Sequence, residues 1–277
     1  ILFSTLKSSV FYYPTDYSTG FLIVGDFFRK YAYAVWYTVV ISWKTDGFRK
    51  CKYSLFRTNF FRKDFSSMKA YERLLSYVKI FTPSNEESTS SPSSQCQFDL
   101  AHVLVEELKG LGISDVTLDD HCYVYAHLPA TEGLEHCKAL GFIAHMDTVS
   151  DFCDHAVTPV ITENYAGKEL PLGTSGRTLS PEMFSHLTSL AGRTLITSDG
   201  TTILGADDKA GIAEILTALE HILTEKIPHG PLCVAFTPDE EIGMGPAHFN
   251  VKKFGADYAY TLDGDTEGGI VLLLPPT

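Results

Sequence analysis

The stretch LGADDKAGIAEILTALEHILTE, residues 204–225, combines the pattern of a helix with acidic residues at its beginning. Its apolar side chains recur at the i, i+3, i+4, i+7 spacing of a helix that buries one face, which predicts a helix over Ala210–Glu225. Asp207 and Asp208 immediately precede this helix, where carboxylates cap the first turn and favour the positive end of the helix dipole. Capping alone explains these two residues, so any further role depends on what the fold places beside them.

Buried strands are predicted on both sides of this helix. Three continuous apolar runs, Ala139–Ala144, Leu232–Phe236 and Tyr258–Leu262, have the composition of strands that are buried on both faces. A long loop region separates the first run from the helix. Strands that alternate with helices predict an α/β fold with a mixed, mostly parallel sheet flanked by helices. The other predicted elements are a helix that follows Met68 and ends near Pro83, a helix over Phe98–Lys109, and short strands at Val116–Leu118 and Cys122–Ala126.

The composition of the chain changes near Met68. Residues 1–67 carry 10 Lys/Arg against 4 Asp/Glu and hold 19 of the 34 aromatic residues. The remaining residues carry 12 Lys/Arg against 30 Asp/Glu, so the net charge changes from +6 to −18. We therefore predict a separate domain over residues 68–277 and interpret residues 1–67 as a non-native or disordered extension.

Two other interpretations of residues 1–67 stay open. The apolar run Tyr31–Trp43 could belong to a membrane anchor, but it has 13 residues, whereas a helix needs about 20 to cross a bilayer. A signal peptide is disfavoured because the run lies far from the N-terminus and no A-x-A-like cleavage site follows it. We therefore expect no membrane association.

The overall charge and the cysteines narrow the class of protein. A net charge of −12 argues against nucleic-acid binding, which needs a basic surface. The six cysteines are scattered and form no C-x-x-C pair, a pattern typical of reduced thiols in a cytosolic protein. The expected location is cytoplasmic, with no nucleic-acid partner.

Polar residues with metal-binding side chains follow the predicted strands and precede the helix. In open α/β sheets, ligands bind beyond the carboxyl ends of the strands. Each residue alone has an ordinary explanation as a cap, a turn or a surface residue. Together they would concentrate negative charge that requires a cation, and carboxylate with imidazole suits zinc, with manganese or cobalt as alternatives. The residues are His145, Asp147, Asp207, Glu240, Glu241 and Asp263.

Four motifs at these positions resemble the metal-binding motifs of the M20 metallopeptidases. The flanking residues, among them SDGTT at 198–202, are similar to those of the tripeptide aminopeptidases in that family. The resemblance covers about residues 68–270 and implies a zinc exopeptidase-like catalytic domain, a small peptide substrate and a two-zinc centre. The motifs are HMDT at 145–148, LGADDKAG at 204–211, FTPDEEIG at 236–243 and YTLDG at 260–264.

The resemblance implies a set of metal ligands. His145, Asp207 and Asp263 would bind one zinc ion. Asp207 would bridge to a second zinc ion, which Glu241 would also bind. Carboxylate oxygens and imidazole nitrogens are ordinary zinc ligands, so the residue types agree with this assignment.

The resemblance also implies two catalytic residues. Asp147 would not bind the metal itself but would orient and polarise His145. Glu240 would act as a general base on a metal-bridged water and later as the acid that protonates the leaving amine. Because neighbouring side chains point in different directions, Glu240 and Glu241 can serve the reaction and the metal separately.

The family pattern contains more than the residues up to Thr277 supply. It requires a further histidine for the second zinc ion and a lid domain through which the intact enzyme dimerises. The resemblance therefore implies a catalytic domain that is incomplete at its C-terminus and inactive alone, with a homodimer expected only for the full-length protein. Two alternatives stay open: another M20 hydrolase, such as a dipeptidase or an N-acyl-amino-acid deacylase, and a non-catalytic metal-binding fragment.

Overall fold

The computed structural model describes residues 68–263 and three strands upstream of them. These strands, β1 (Ser9–Pro14), β2 (Thr19–Gly25) and β3 (Thr38–Lys44), form an antiparallel sheet in that order. They belong to a compact unit of their own, separate from the unit that contains residues 68–263. Most of residues 1–67, on which the extension was predicted, and all of residues 264–277 lie outside the described residues.

The unit that contains residues 68–263 is built on a five-stranded mixed sheet, which confirms the predicted α/β class. The strand order is β12-β6-β11-β5-β4. Strands β12, β6 and β11 are parallel neighbours, whereas β5 and β4 pair antiparallel at the other side. The strands are β4 (Asp115–Leu118), β5 (Val124–Leu128), β6 (Leu140–His145), β11 (Leu232–Thr237) and β12 (Tyr258–Thr261).

The register of the three parallel strands brings their carboxyl ends to one edge of the sheet. Thr237 pairs with His145, and Thr261 pairs with Ile143. The ladder continues one residue further, since the Leu262 amide donates to the Ile143 carbonyl at 2.8 Å. Side chains that follow β6, β11 and β12 therefore start from neighbouring positions.

Four α-helices in residues 68–263 pack on this sheet and on one another. Helix α3 contacts β6 and α1, helix α2 contacts β4 and β5, and the short helix α4 contacts β5 and β11. Helix α3 begins one residue before the predicted start and ends at the predicted residue. The helices are α1 (Ala70–Tyr77), α2 (Gln97–Gly110), α3 (Lys209–Glu225) and α4 (Val251–Phe254).

Helix α1 buries a charged residue beside its apolar ones. Leu74 of α1 and Val78, which directly follows the helix, are buried, and Arg73 is buried as well. The Arg73 guanidinium pairs with Glu107 of α2 and Glu220 of α3, each at 2.7 Å. Since a buried charge is tolerated only when it is paired, this network holds the three helices together.

One face of the sheet carries an aromatic cluster that requires a glycine. Tyr123 and Tyr125 pack with Phe254 of α4 on this face. A Cβ atom at Gly141 of β6 would lie 2.4 Å from the Phe254 ring. The close approach of helix and sheet therefore depends on the missing side chain at Gly141.

The predicted long loop after β6 is wrong, because part of it forms small sheets. The pairs β7–β10 and β8–β9 are antiparallel, and a 3₁₀-helix precedes β10. These strands have three or four residues and no sustained apolar run, so no periodic pattern predicts them. They are β7 (Pro159–Thr162), β8 (Leu170–Leu172), β9 (Arg177–Leu179) and β10 (Leu195–Ser198), and the 3₁₀-helix is Ser185–Leu190.

Across the described part of the chain, no helix has the length and apolar character needed to traverse a bilayer.

Candidate metal centre

Three of the predicted ligands meet at the carboxyl edge of the sheet. His145 is the last residue of β6, Asp207 lies two residues before α3, and Asp263 follows β12. One ligand atom from each of these residues lies within 4.8 Å of the other two. His145 is buried, whereas Asp207 and Asp263 are exposed, so the group opens to solvent on its carboxylate side.

Hydrogen bonds at both ring nitrogens fix the orientation of His145. Its Nδ1 lies 3.1 Å from the Asp147 carbonyl oxygen, and its Nε2 lies 3.0 Å from Asp207 Oδ1. With the proton on Nδ1 donated to that carbonyl, Nε2 faces the carboxylates and can act as a ligand. Burial lowers the pKa of His145, but its hydrogen bonds to Asp147 and Asp207 raise the pKa to about 11. The surrounding carboxylates thus favour positive charge at this point.

Asp147 connects His145 with the acidic residues that follow β11. Its side chain is fully buried, and Oδ1 lies 3.4 Å from His145 Nδ1. The Glu240 amide donates to Oδ1 at 2.9 Å, and the Glu241 amide donates to Oδ2 at 3.1 Å. The residue predicted to orient the histidine therefore also holds the backbone of both glutamates.

Glu240 lies close to the three-residue group. Glu240 Oε2 is 3.7 Å from His145 Nε2, and about half of its side chain is exposed, 46 %. Burial of the rest of the side chain raises the pKa of Glu240. A carboxyl whose pKa is raised gains and releases a proton more readily near neutral pH, as a general acid or base requires.

Glu241 points toward a neighbouring cleft. It lines a small cavity together with Ser84, Val149 and Asp151. The pKa of Glu241 is raised, because the effect of burial exceeds the opposing effect of the nearby His145. Glu241 is not one of the three residues whose ligand atoms lie together, so the described residues supply three converging ligands and one at the side.

The two aspartates before α3 have different surroundings. Asp207 is half exposed, and its hydrogen bond with His145 lowers its pKa. Asp208 is buried; it caps α3 by accepting from the Gly211 amide at 3.1 Å and accepts from the His145 amide at 3.2 Å. The peptide bond between the two aspartates is cis. Asp208 thus caps the helix and holds the His145 backbone, whereas Asp207 contacts the His145 ring.

The donor set fits a zinc ion. One imidazole nitrogen and two carboxylate oxygens converge from three separate elements, which is the ligand chemistry that zinc prefers. The other imidazole nitrogen, Nδ1, is hydrogen-bonded to the Asp147 carbonyl, as is usual for histidines that bind metals. These three residues are therefore suited to the zinc ion that the sequence predicts.

Three buried polar residues at this edge were not predicted as site residues. Asp239 precedes the two glutamates but points inward, where it contacts Ser93 and Gln97. Asp239 lies in a recognisable acidic run, whereas nothing in the local sequence links Ser93 or Gln97 to it. Such contacts join residues more than 140 positions apart, and only the fold reveals them.

Comparison with protein families gives one match. Residues 199–270 match the model of peptidase family M20/M25/M40. This segment contains Asp207, Glu240, Glu241 and Asp263, whereas His145 lies upstream of it.

Curated relatives match a longer part of the chain. It is 50 % identical over 201 residues to a Peptidase T of Bacillus cereus, a match that covers 72 % of this chain and 49 % of the relative. It is 52 % identical over 198 residues to the Peptidase T of Aliivibrio fischeri, covering 71 % of this chain and 48 % of that protein. The chain thus spans about half the length of these relatives.

Solved structures show the same relationship. An aminopeptidase PepT from Bacillus cereus superposes with a TM-score of 0.51 and 25 % identity over 72 % of this chain and 43 % of its own. A tripeptidase from Staphylococcus aureus gives a TM-score of 0.50 and 26 % identity over the same shares. The mixed α/β architecture is therefore shared with peptidases of known structure.

Proposed function

Because this chain belongs to peptidase family M20/M25/M40, we propose that its complete gene product is a metallo-aminopeptidase that releases the N-terminal residue from tripeptides. The observation that carries the proposal is 50 % identity over 201 residues to proteins named Peptidase T. The likeness to an aminopeptidase and a tripeptidase of known structure supports the same reaction. We further propose a small peptide as substrate, a cytoplasmic location, and a homodimer for the full-length protein.

The proposed metal ligands are those that converge at the edge of the sheet. His145, Asp207 and Asp263 would hold one zinc ion, and Asp207 with Glu241 would contribute to a second. Bound zinc polarises a scissile carbonyl and lowers the pKa of water, so that hydrolysis proceeds at neutral pH. The convergence of one imidazole and two carboxylates supports the first site, and Glu241 lies beside it.

Glu240 is proposed as the residue that moves the proton. Its carboxylate lies 3.7 Å from His145 Nε2, beside the residues proposed to hold the metal. Partial burial raises its pKa, which suits a group that takes a proton from water and delivers it to the leaving amine. Asp147 keeps Glu240 in place by accepting its amide hydrogen.

Replacing the proposed base tests this assignment. In the complete gene product, Glu240→Ala is expected to lower kcat for tripeptide hydrolysis about 10³-fold, because general acid–base catalysis is removed. Zinc content, measured by elemental analysis of the purified protein, is expected to equal that of the unchanged protein.

Glu106→Ala is the matched control, since Glu106 is an exposed glutamate on α2 that pairs only with Lys109 in the contacts described. This variant is expected to retain full activity and full zinc content. A loss of zinc in Glu240→Ala would show that Glu240 is a ligand and contradict its role as the base.

A further inference from the structure

Asp239 is a buried carboxylate held by Ser93 of a distant loop and by Gln97, the first residue of α2. Its side chain is almost fully buried, as are Ser93 and Gln97. The Ser93 amide donates to Asp239 Oδ2 at 2.8 Å, and the Ser93 hydroxyl donates to Oδ1 at 2.5 Å. Gln97 donates from Nε2 to Oδ1 at 2.7 Å and accepts the Asp239 amide on Oε1 at 3.2 Å. We call Ser93, Gln97 and Asp239 the Asp239 network.

The network fixes a backbone conformation that is otherwise unfavourable. Asp239 has φ +56°, in the left-handed region, which costs a residue with a side chain about 1–2 kcal/mol. In this conformation its side chain turns inward, while the following Glu240 remains largely exposed at the metal centre. Four hydrogen bonds to Ser93 and Gln97 offset that cost.

The turn is therefore held from two sides. Asp147 accepts the amide hydrogens of Glu240 and Glu241, and the Asp239 network holds the residue immediately before them. A turn that follows a strand has no ladder partner of its own, so its position depends on such contacts.

We propose that Ser93 and Gln97 are positioning residues that place Glu240 and Glu241 by holding Asp239. This inference rests on the proposed function, since it gives the two glutamates a catalytic and a metal-binding role. A displacement of about 1 Å in a catalytic group costs about 100-fold in rate, so precise placement of the turn has a measurable consequence.

Exchanging the acid and the amide within the network tests the proposal. Gln97→Glu sets two buried carboxylates against each other. Asp239→Asn replaces one accepting oxygen with an NH2 group, which meets a donor in either orientation, the Ser93 amide or Gln97 Nε2. In the double variant Gln97→Glu/Asp239→Asn, the introduced amide donates to the introduced carboxylate, and the Asp239 amide retains its acceptor. Each single variant therefore breaks the network, and the double variant rebuilds it.

Amide hydrogen exchange of residues 239–243 reports the order of the turn in the metal-free protein, where the Glu240 and Glu241 amides are protected by Asp147. In both single variants we expect exchange about 10-fold faster, because local opening becomes easier. The double variant is expected to match the unchanged protein. Equal exchange in all four proteins would overturn the proposal.

Kinetics of the zinc-loaded complete gene product give a second measurement. The single variants are expected to lower kcat about 100-fold, with KM unchanged within about 2-fold because the substrate-binding surface is not altered. The double variant is expected to recover most of kcat.

Glu107→Gln on the same helix is the control, because it weakens the buried Arg73 pair without contacting the turn. If this variant lowers kcat as much as Gln97→Glu, the effect reflects stability alone and the positioning role is overturned. Failure of the double variant to recover exchange and kcat would overturn it as well.

The two measurements separate the inference from the proposed function. If the unchanged protein, loaded with zinc, does not hydrolyse tripeptides, the proposed function is rejected. The exchange pattern then still decides whether Ser93 and Gln97 order the turn. If the protein is active but exchange is unaffected in the single variants, the proposed function stands and the positioning role falls.

Discussion

The candidate metal centre joins two regions that hold their side chains in different ways. His145 and Asp263 lie at the ends of paired parallel strands, where the backbone ladder fixes their positions. Glu240 and Glu241 lie in a turn beyond β11, where the Asp147 carboxylate holds the backbone instead. A strand end needs only the correct register, whereas a turn needs partners that accept its amide hydrogens.

The two regions also differ in exposure. The side chain of His145 is 2 % exposed and that of Glu240 is 46 % exposed. A buried imidazole keeps one orientation, while a half-exposed carboxylate can exchange protons with solvent and substrate. The rigid region therefore suits metal binding, and the more open turn suits proton transfer.

Asp147 contacts both regions, so its removal is expected to have the largest effect on stability. Asp147→Ala leaves the Glu240 and Glu241 amides without their acceptor. An unsatisfied buried donor costs about 1–3 kcal/mol, so the free energy of unfolding is expected to fall by about 3 kcal/mol. Urea denaturation of the metal-free chain measures the change.

Asp147→Asn is the matched control, because its side chain keeps one acceptor oxygen in nearly the same shape. Its loss of stability is expected to be about half that of Asp147→Ala. Equal stability of Asp147→Ala and the unchanged chain would mean that water satisfies both amides, and the turn would not depend on Asp147.

Stabilisation by zinc tests whether the residues at the strand ends bind the metal. Added zinc is expected to raise the free energy of unfolding of the chain by about 2.7 kcal/mol when free zinc is about 100 times Kd. His145→Ala removes the ligand that the end of β6 supplies, so most of this gain is expected to disappear. Thermal unfolding with and without zinc measures the difference.

His155→Ala serves as the control, because His155 is an exposed histidine that contacts Asp154 and Thr201 outside the three-residue group. It is expected to keep the full gain from zinc. The proposed ligand set would be contradicted if zinc stabilised His145→Ala as much as the unchanged chain.

The strand side of the centre could be predicted from sequence. The apolar runs before His145 and Asp263 mark strand ends directly, and the carboxyl ends of parallel strands lie at one edge of a sheet. The structure brings both residues together with Asp207. Local patterns suffice here because the positions of the side chains follow from the strands alone.

The turn side could be predicted only in part. The acidic run at 239–241 marks a site, but nothing in it tells which carboxylate points inward. The partners of Asp239 are Ser93 in the Ser-rich segment before α2 and Gln97 at the start of α2, and their contacts depend on the tertiary fold. The small sheets β7–β10 and β8–β9 were missed for a related reason, since strands of three or four residues take their partners from context rather than from periodicity.

The smallest expected effect concerns Asp208, which supports the strand side from the beginning of α3. Asp208 accepts the Gly211 amide as the helix cap and the His145 amide at the end of β6. Loss of a helix cap costs about 1 kcal/mol, so Asp208→Ala is expected to lower the free energy of unfolding by that amount in urea denaturation. Removing a buried charge offsets part of the loss of the second hydrogen bond.

Asn250→Ala is the control that separates capping from support of the metal centre. Asn250 caps α4 by accepting the Lys253 amide at 2.9 Å, at a place remote in sequence from His145. Both variants are expected to lose similar stability, but only Asp208→Ala is expected to weaken zinc binding, because only Asp208 holds the backbone of His145. Titration with zinc against a chelator measures Kd for both. An unchanged Kd in Asp208→Ala would show that the ladder of β6 alone fixes His145, and the strand side would then need no side-chain support, in full contrast to the turn.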